Sequence, residues 1–102
     1  MARTFEAGGR VYRISNHSRQ KIRELDIEMV DIARIIENRA NEQRLKHKTE
    51  YTGCYRPRWA RRRGLLRRFA VKIVINTRST LTLKTVYITG DCPEDEANEN
   101  NV

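Results

Sequence analysis

Alternation of apolar and polar positions is strongest near the C-terminal end of the chain. In RRFAVKIVIN, residues 67–76, Phe69, Val71, Ile73 and Ile75 fall on every second position, and a second β-branched run, TLTLKTVYITG, follows at residues 80–90. The polar NTRS between them is the kind of connection that closes a hairpin. Strict period two puts Thr85 and Tyr87 on the side of Leu81 and Leu83, with Lys72, Val74 and Lys84 facing elsewhere. Val74, Val86 and Ile88 supply apolar groups for a second face, so both strands are expected to be central and partly covered on both sides.

Upstream the period changes. GGRVYRIS, residues 8–15, reads as a short strand after a glycine break, and Asn16 is the expected N-cap of a helix. Ile22 and Leu25 share one helical face, and Ile27, Val30, Ile32, Ala33 and Ile36 continue the spacing. Asp26 and Glu28 favour a restart between two helical pieces and Asn38 a stop, which predicts a helical hairpin or kinked helix over 17–38. QRLKHKTEYTG, residues 43–53, suits an exposed edge strand protected by lysines. Residues 52–66 carry Gly53, Pro57 and Gly64 and read as a long exposed loop, and the period-free residues 91–102 as a disordered acidic tail. The order predicts an α+β fold. Its N-terminal strand and helical hairpin pack on a small antiparallel sheet of about three to four strands, with the long basic loop before the C-terminal hairpin.

With 102 residues the chain holds one domain, expected over 1–90, because a second core would leave neither with enough buried area. The net charge of +8 hides an asymmetry. All 21 Lys and Arg precede residue 91 against eight acids, while the tail carries five acids and no base. Between Glu50 and Asp91 ten basic residues stand with no carboxylate, which points to a polyanion, most simply nucleic acid. No basic amphipathic helix with an aromatic face offers a membrane anchor, and no window has the apolar length of a membrane span. MARTFEAGGR lacks the apolar centre of a secretion signal, so a soluble cytoplasmic protein is expected. Cys54 and Cys92 have neither disulfide-scaffold density nor zinc-site spacing and read as free thiols.

Seven arginines crowd residues 56–68. Arg56, Arg58, Arg61, Arg62 and Arg63 surround Trp59, and Trp59 with Tyr55 suits stacking of unpaired bases or, equally, anchoring of its own loop. Arg67, Arg68, Lys72 and Arg78 extend the expected phosphate contacts. Histidine chemistry rests on His17 or His47. His47, between two lysines, reads as part of a solvated strand, whereas His17 stands at a helix start, where it either caps the helix or takes and gives a proton. No His, Asp or Glu cluster has metal-ligand spacing, so neither metal nor cofactor is expected.

SNHSRQKIRELDI, followed by a helix, a basic section and then RFAVKIVI and LKTVYIT, resembles a family of small toxin-like domains. These have a His-x-Arg helix start, an apolar residue five after the His, a Gly-Ile or similar break and a closing Thr-Val-Tyr strand. They are similar in layout to the RelE, BrnT, colicin D and barnase type of ribonuclease fold. His17 and Arg19 fall on the first pair, Ile22 on the apolar position, Asp26-Ile27 on the break and Thr85-Val86-Tyr87 on the closing strand. Asp26 replaces the family glycine, which suits a left-handed turn. The resemblance implies a metal-independent ribonuclease in which His17 is the general acid or base. Arg19, with Lys72 or Arg78, would steady the phosphate, and Thr85 and Tyr87 would position the substrate or donate a proton. It also implies a neutralising partner, an acidic antitoxin or immunity protein. An exposed strand edge leaves a homodimer open. The alternative is a non-catalytic nucleic-acid-binding module that uses the same arginines and Trp59, with the acidic tail lying over the basic face as a mimic of nucleic acid or solvated away from it.

Overall fold

Gly8 and Gly9, at φ of 57° and 79°, make the left-handed two-residue turn that matches the twist of antiparallel strands. In the computed structural model, which describes residues 3 to 93, this turn joins β1 (Thr4–Ala7) to β2 (Arg10–Ile14). The first of these strands is too short to declare a period in the sequence. Helix α1 (Asn16–Leu25) follows, capped by Ser15 rather than Asn16: Ser15 Oγ accepts the Ser18 N–H at 3.1 Å. Asp26 ends it in the left-handed region at φ 53°, and α2 (Met29–Glu37) restarts through a capping box of Glu28 and Asp31. The predicted helical hairpin is present.

A 3-10 turn at Arg39–Asn41 leads into β3 (Glu42–Arg44) and β4 (Lys48–Tyr55). The expected long loop is thus shorter, because its first residues belong to β4 and its middle forms α3 (Arg58–Arg62). β5 (Phe69–Asn76) and β6 (Thr82–Asp91) complete one sheet of six strands in the order β1-β2-β6-β5-β4-β3. That sheet is larger than the three to four strands expected, and it is mixed: β2 runs parallel to β6, and every other pair is antiparallel. β4 escaped notice as an inner strand because its core face is made of Thr49, Tyr51, Gly53 and Tyr55 rather than aliphatic residues. Tyr55 also ties the strand to α1, its hydroxyl donating to Leu25 O at 2.7 Å, and burial pushes the phenol up to about 12.

Both long helices lie on one face of the sheet. Ile22, Ile27, Ile32, Ile35 and Ile36 pack there against Tyr12, Tyr51, Val71, Ile73, Ile75, Leu83 and Val86. Two register shifts in the β5–β6 ladder correct the expected facing. Val74 pairs with Thr85 and Ile75 with Leu83, so Lys84 is an extra residue that lets Leu83 and Val86 both enter the core. Thr85 and Tyr87 therefore point opposite to Leu83, onto the face the helices leave open, beside their partners Val74 and Lys72. Val86 joins the helix-covered face instead of the second one.

The cysteines are not free. Cys54 and Cys92 form a disulfide that spans 38 residues and joins the ends of β4 and β6. β6 runs to Asp91, so the first two residues of the expected tail are part of the fold, while residues 94–102 lie outside the described residues. No helix among the described residues is long and apolar enough to cross a membrane.

α2 crosses β4 at Gly53, where an added Cβ would come within 2.6 Å of Ile35 Cγ1. Gly53→Ala is therefore expected to lower stability by about 1 to 3 kcal/mol through overpacking, measured by urea unfolding. Opening the disulfide should cost about 4 kcal/mol by the loop-entropy relation. Urea midpoints with and without reductant, and with Cys54→Ser, check this; equal midpoints would show that the bridge leaves the unfolded ensemble unconstrained.

Candidate nucleic-acid interface

β2 leaves β6 after the Ile14–Leu83 pair, and the first turn of α1 takes over its place along the edge. Ser15 N–H donates to Leu83 O at 3.3 Å, and the buried Ser18 hydroxyl donates to the same carbonyl at 2.7 Å. Ser15 Oγ also lies 3.3 Å from Lys84 O. The helix start is thereby fastened to the irregular step in β6. The exposed ring of His17 is carried to Thr85, with Nε2 3.1 Å from Oγ1, the ring N–H or the hydroxyl donating according to tautomer. Two residues separated by 68 positions are thus in contact. Tyr87, 39% exposed, shares the open face one pleat further along, opposite Lys72. Arg19 does not point there and instead lines a neighbouring depression.

Three depressions follow one another across this end of the sheet. The middle one, about 360 Å³, is bounded by Ser15, His17, Asn76, Thr82 and Lys84. Through Ser15 and Thr82 it adjoins one of about 670 Å³ that holds Arg3, Arg13 and Arg19. Through Asn76 and Lys84 it adjoins one of about 430 Å³ that holds Lys46, His47, Lys48 and Arg78. Arginine, lysine and histidine from the approach to β1, from β2, α1, β4, β6 and the β3–β4 and β5–β6 turns therefore line a track of three adjoining depressions. On the open face Glu50 stands beside it, paired with Lys48 at 3.2 Å and Lys72 at 3.4 Å, and Glu6, two residues from Thr4 on β1, is exposed on the same side as Arg13. Hydrogen bonds from Lys48 and then Lys72 hold the Glu50 carboxyl below the usual range against the opposing effect of burial, so it stays ionised and offsets one of the two lysine charges. Among the described residues Arg3, Arg13, Arg19, Lys46, Arg78 and Lys84 make no ion pair.

The arginine-rich stretch lies at the other end of the β5–β6 hairpin, beyond the Phe69–Asp91 pair, whereas the track begins at Asn76–Thr82. Eight residues of β5 separate the two ends, a distance of roughly 23 Å at strand spacing. There Asp26 and Glu28, in the connection between α1 and α2, organise α3. Asp26 pairs with Arg58 at 3.2 Å and Arg62 at 4.0 Å and accepts the Trp59 N–H at 2.8 Å, and Glu28 pairs with Arg61. Trp59 is half-buried, its ring 6.4 Å from that of Phe69, and so anchors its own segment. Arg67 stacks 4.9 Å over Phe69 and reaches Asp91 at 3.5 Å, and Arg68 O accepts the Cys92 N–H. Arg56 and Arg63 make no ion pair among the described residues. Exposed pairs of this kind are worth only about 0–1 kcal/mol each, so these arginines can exchange a carboxylate for a phosphate at small cost.

Arg3 and Arg13 were not among the expected contacts, and His47 was expected only as part of a solvated strand. A signal existed for His47 in the run Lys46-His47-Lys48, but nothing local linked it to His17. Among the described residues no group of three His, Cys, Asp or Glu is placed to hold a metal ion. The chain matches no family model, no curated protein and no solved structure. Any functional reading therefore rests on the site itself.

Asp26→Asn keeps a residue that tolerates the left-handed turn and removes the charge that holds α3. It is expected to speed tryptic cleavage after Arg58, Arg61 and Arg62 while lowering global stability by only about 1 kcal/mol. An unchanged digestion pattern would show that α3 is held by other contacts.

Proposed function

We propose that this chain binds single-stranded RNA along the cationic track and cleaves it without a metal, as a toxin-type endoribonuclease with His17 as general acid or base. The observation that carries the reading is the His17–Thr85 contact in the middle of that track. A strand lying there presents its phosphates to Arg19 on one side and Arg78 on the other, with Lys84 in the depression that His17 shares. Cleavage at this position is transfer to the neighbouring 2′-hydroxyl. The O2′–P bond forms and the P–O5′ bond breaks, one proton leaves O2′ and one reaches O5′. His17 takes or supplies one of these, Thr85 orients its ring, and Tyr87 on the same face is a second hydroxyl donor. Lys84, in the depression that His17 shares, offsets the charge that develops on the phosphate, and Arg19 engages the strand in the adjoining depression.

The layout of two helices on one face of a mixed sheet supports kinship with the RelE, BrnT, colicin D and barnase type of ribonuclease. The cytoplasm is the compartment that such a target implies, and there the Cys54–Cys92 bridge would stand open for part of the population. An acidic antitoxin or immunity protein is the partner whose charge complements the track. The short outer strands β1 and β3 leave edges that a second copy could extend.

A second reading is favoured by one feature: the hydrogen bond to Thr85 occupies the Nε2 that a bound strand would otherwise meet. In that case the track, or the arginine-rich 56–68 segment, holds nucleic acid and breaks no bond.

Purified protein incubated with RNA in the presence of chelator is expected to yield fragments ending in cyclic phosphate, and His17→Ala to slow their formation by about 10²-fold or more. RNA left intact by the wild type, with binding retained, selects the non-catalytic module. Equal cleavage by His17→Ala removes His17 from the chemistry.

A further inference from the structure

We infer that the depression lined by Arg3, Arg13 and Arg19 is a pocket for a terminal phosphate monoester of the bound strand, an inference that rests on the nucleic-acid reading above. The three arginines come from three places in the chain: the approach to β1, the end of β2 and the first turn of α1. They meet in one depression with Thr4, Ser15 and Thr82, and among the described residues no carboxylate pairs with any of them. The contrast with the other arginine trio is direct, because Arg58, Arg61 and Arg62 are met by Asp26 and Glu28. Three like charges held together without a counter-charge repel one another, and an arriving anion relieves that repulsion. Arg19 adds a second reason. Its Nε is shielded from water and has no acceptor among the described residues, so no neighbouring group offsets the charge of this guanidinium.

The charge count favours a terminal phosphate over an internal one. A phosphodiester brings one negative charge, whereas a monoester brings about 1.5 to 2 at neutral pH with three terminal oxygens. Three guanidinium forks can each take an oxygen, and the α1 N-terminus at the rim adds a partial positive charge. Position agrees with charge. The pocket is the end member of the series of depressions, adjoining the His17 depression through Ser15 and Thr82, so a strand whose end is seated there runs past His17 towards Lys84 and Arg78. The ligand class is therefore an end-phosphorylated strand, whose monoester is either a 5′- or a 3′-phosphate.

The test uses the full chain and octanucleotides fully 2′-O-methylated, which the proposed chemistry cannot cleave. One carries a 5′-phosphate, one a 3′-phosphate and one hydroxyls at both ends. Affinities are read by fluorescence anisotropy at fixed ionic strength. One of the phosphorylated forms is expected to bind at least tenfold more tightly than the unphosphorylated strand, and which one names the end that is read. Arg13→Gln and Arg19→Gln should each abolish that preference, whereas Arg78→Gln should weaken all three strands alike and keep it. Circular dichroism reports whether each variant is folded; should Arg19→Gln unfold, Arg3→Gln with Arg13→Gln decides. Three strands bound equally within twofold, or a preference that survives loss of Arg3 and Arg13, overturns the inference. A protein that cleaves RNA but ignores the end phosphate refutes this pocket alone. One that discriminates ends but cuts nothing refutes the catalytic reading alone.

Discussion

The docking of the first turn of α1 on β6 is the constraint from which the rest of the site follows. A helix N-terminus brings donors without partners, and a strand edge abandoned by its neighbour brings acceptors without partners. Here Leu83 O accepts both the Ser15 N–H and the Ser18 hydroxyl, so each satisfies the other in a place where water is excluded from Ser18. Because these bonds fix the helix at the irregular step of β6, the first turn of α1 brings His17 to Thr85, and Arg19, two residues on, is turned into the adjoining depression. Position in the fold, rather than any unusual side chain, makes these residues a site.

Charge placement follows a similar logic of local counter-charge. The carboxylates of the folded part are gathered largely on the helices and their connection, and through Asp26 and Glu28 they pair with Arg58, Arg61 and Arg62 of the basic segment that folds back onto them. The opposite end of the sheet receives few acids: Glu50, already shared by two lysines, and Glu6, which β1 carries on the same side as Arg13. Basic residues from distant segments thus meet with few acids among them at the track end, while part of the arginine-dense segment is paired with Asp26 and Glu28. The disulfide closes the other end of the open face, stapling the last residues of β4 and β6 and leaving the track end to be held by the α1–β6 bonds.

Much of the architecture was legible before folding. The β5–β6 hairpin, the helical hairpin with its break at Asp26 and the α+β class all follow from period, cap and turn residues, because those signals act within a few positions of one another. The left-handed conformation of Asp26 was readable for the same reason. Four features were not. β4 carries its burial on tyrosine, threonine and glycine, β1 is only four residues long, the N-cap moved from Asn16 to Ser15, and the cysteines paired across 38 residues.

The sequence by itself determined that this is a one-core α+β domain with an excess of cations and a histidine at a helix start. Only the tertiary structure decided which way Thr85 and Tyr87 face, which arginines are neutralised and which residues share a pocket with His17. The physical reason is that one extra residue, Lys84, inverts the facing of β6 from Thr85 as far as the second register shift. Period two is a local rule, and it cannot report a step whose stabilisation comes from a helix bonded to it from 68 residues away.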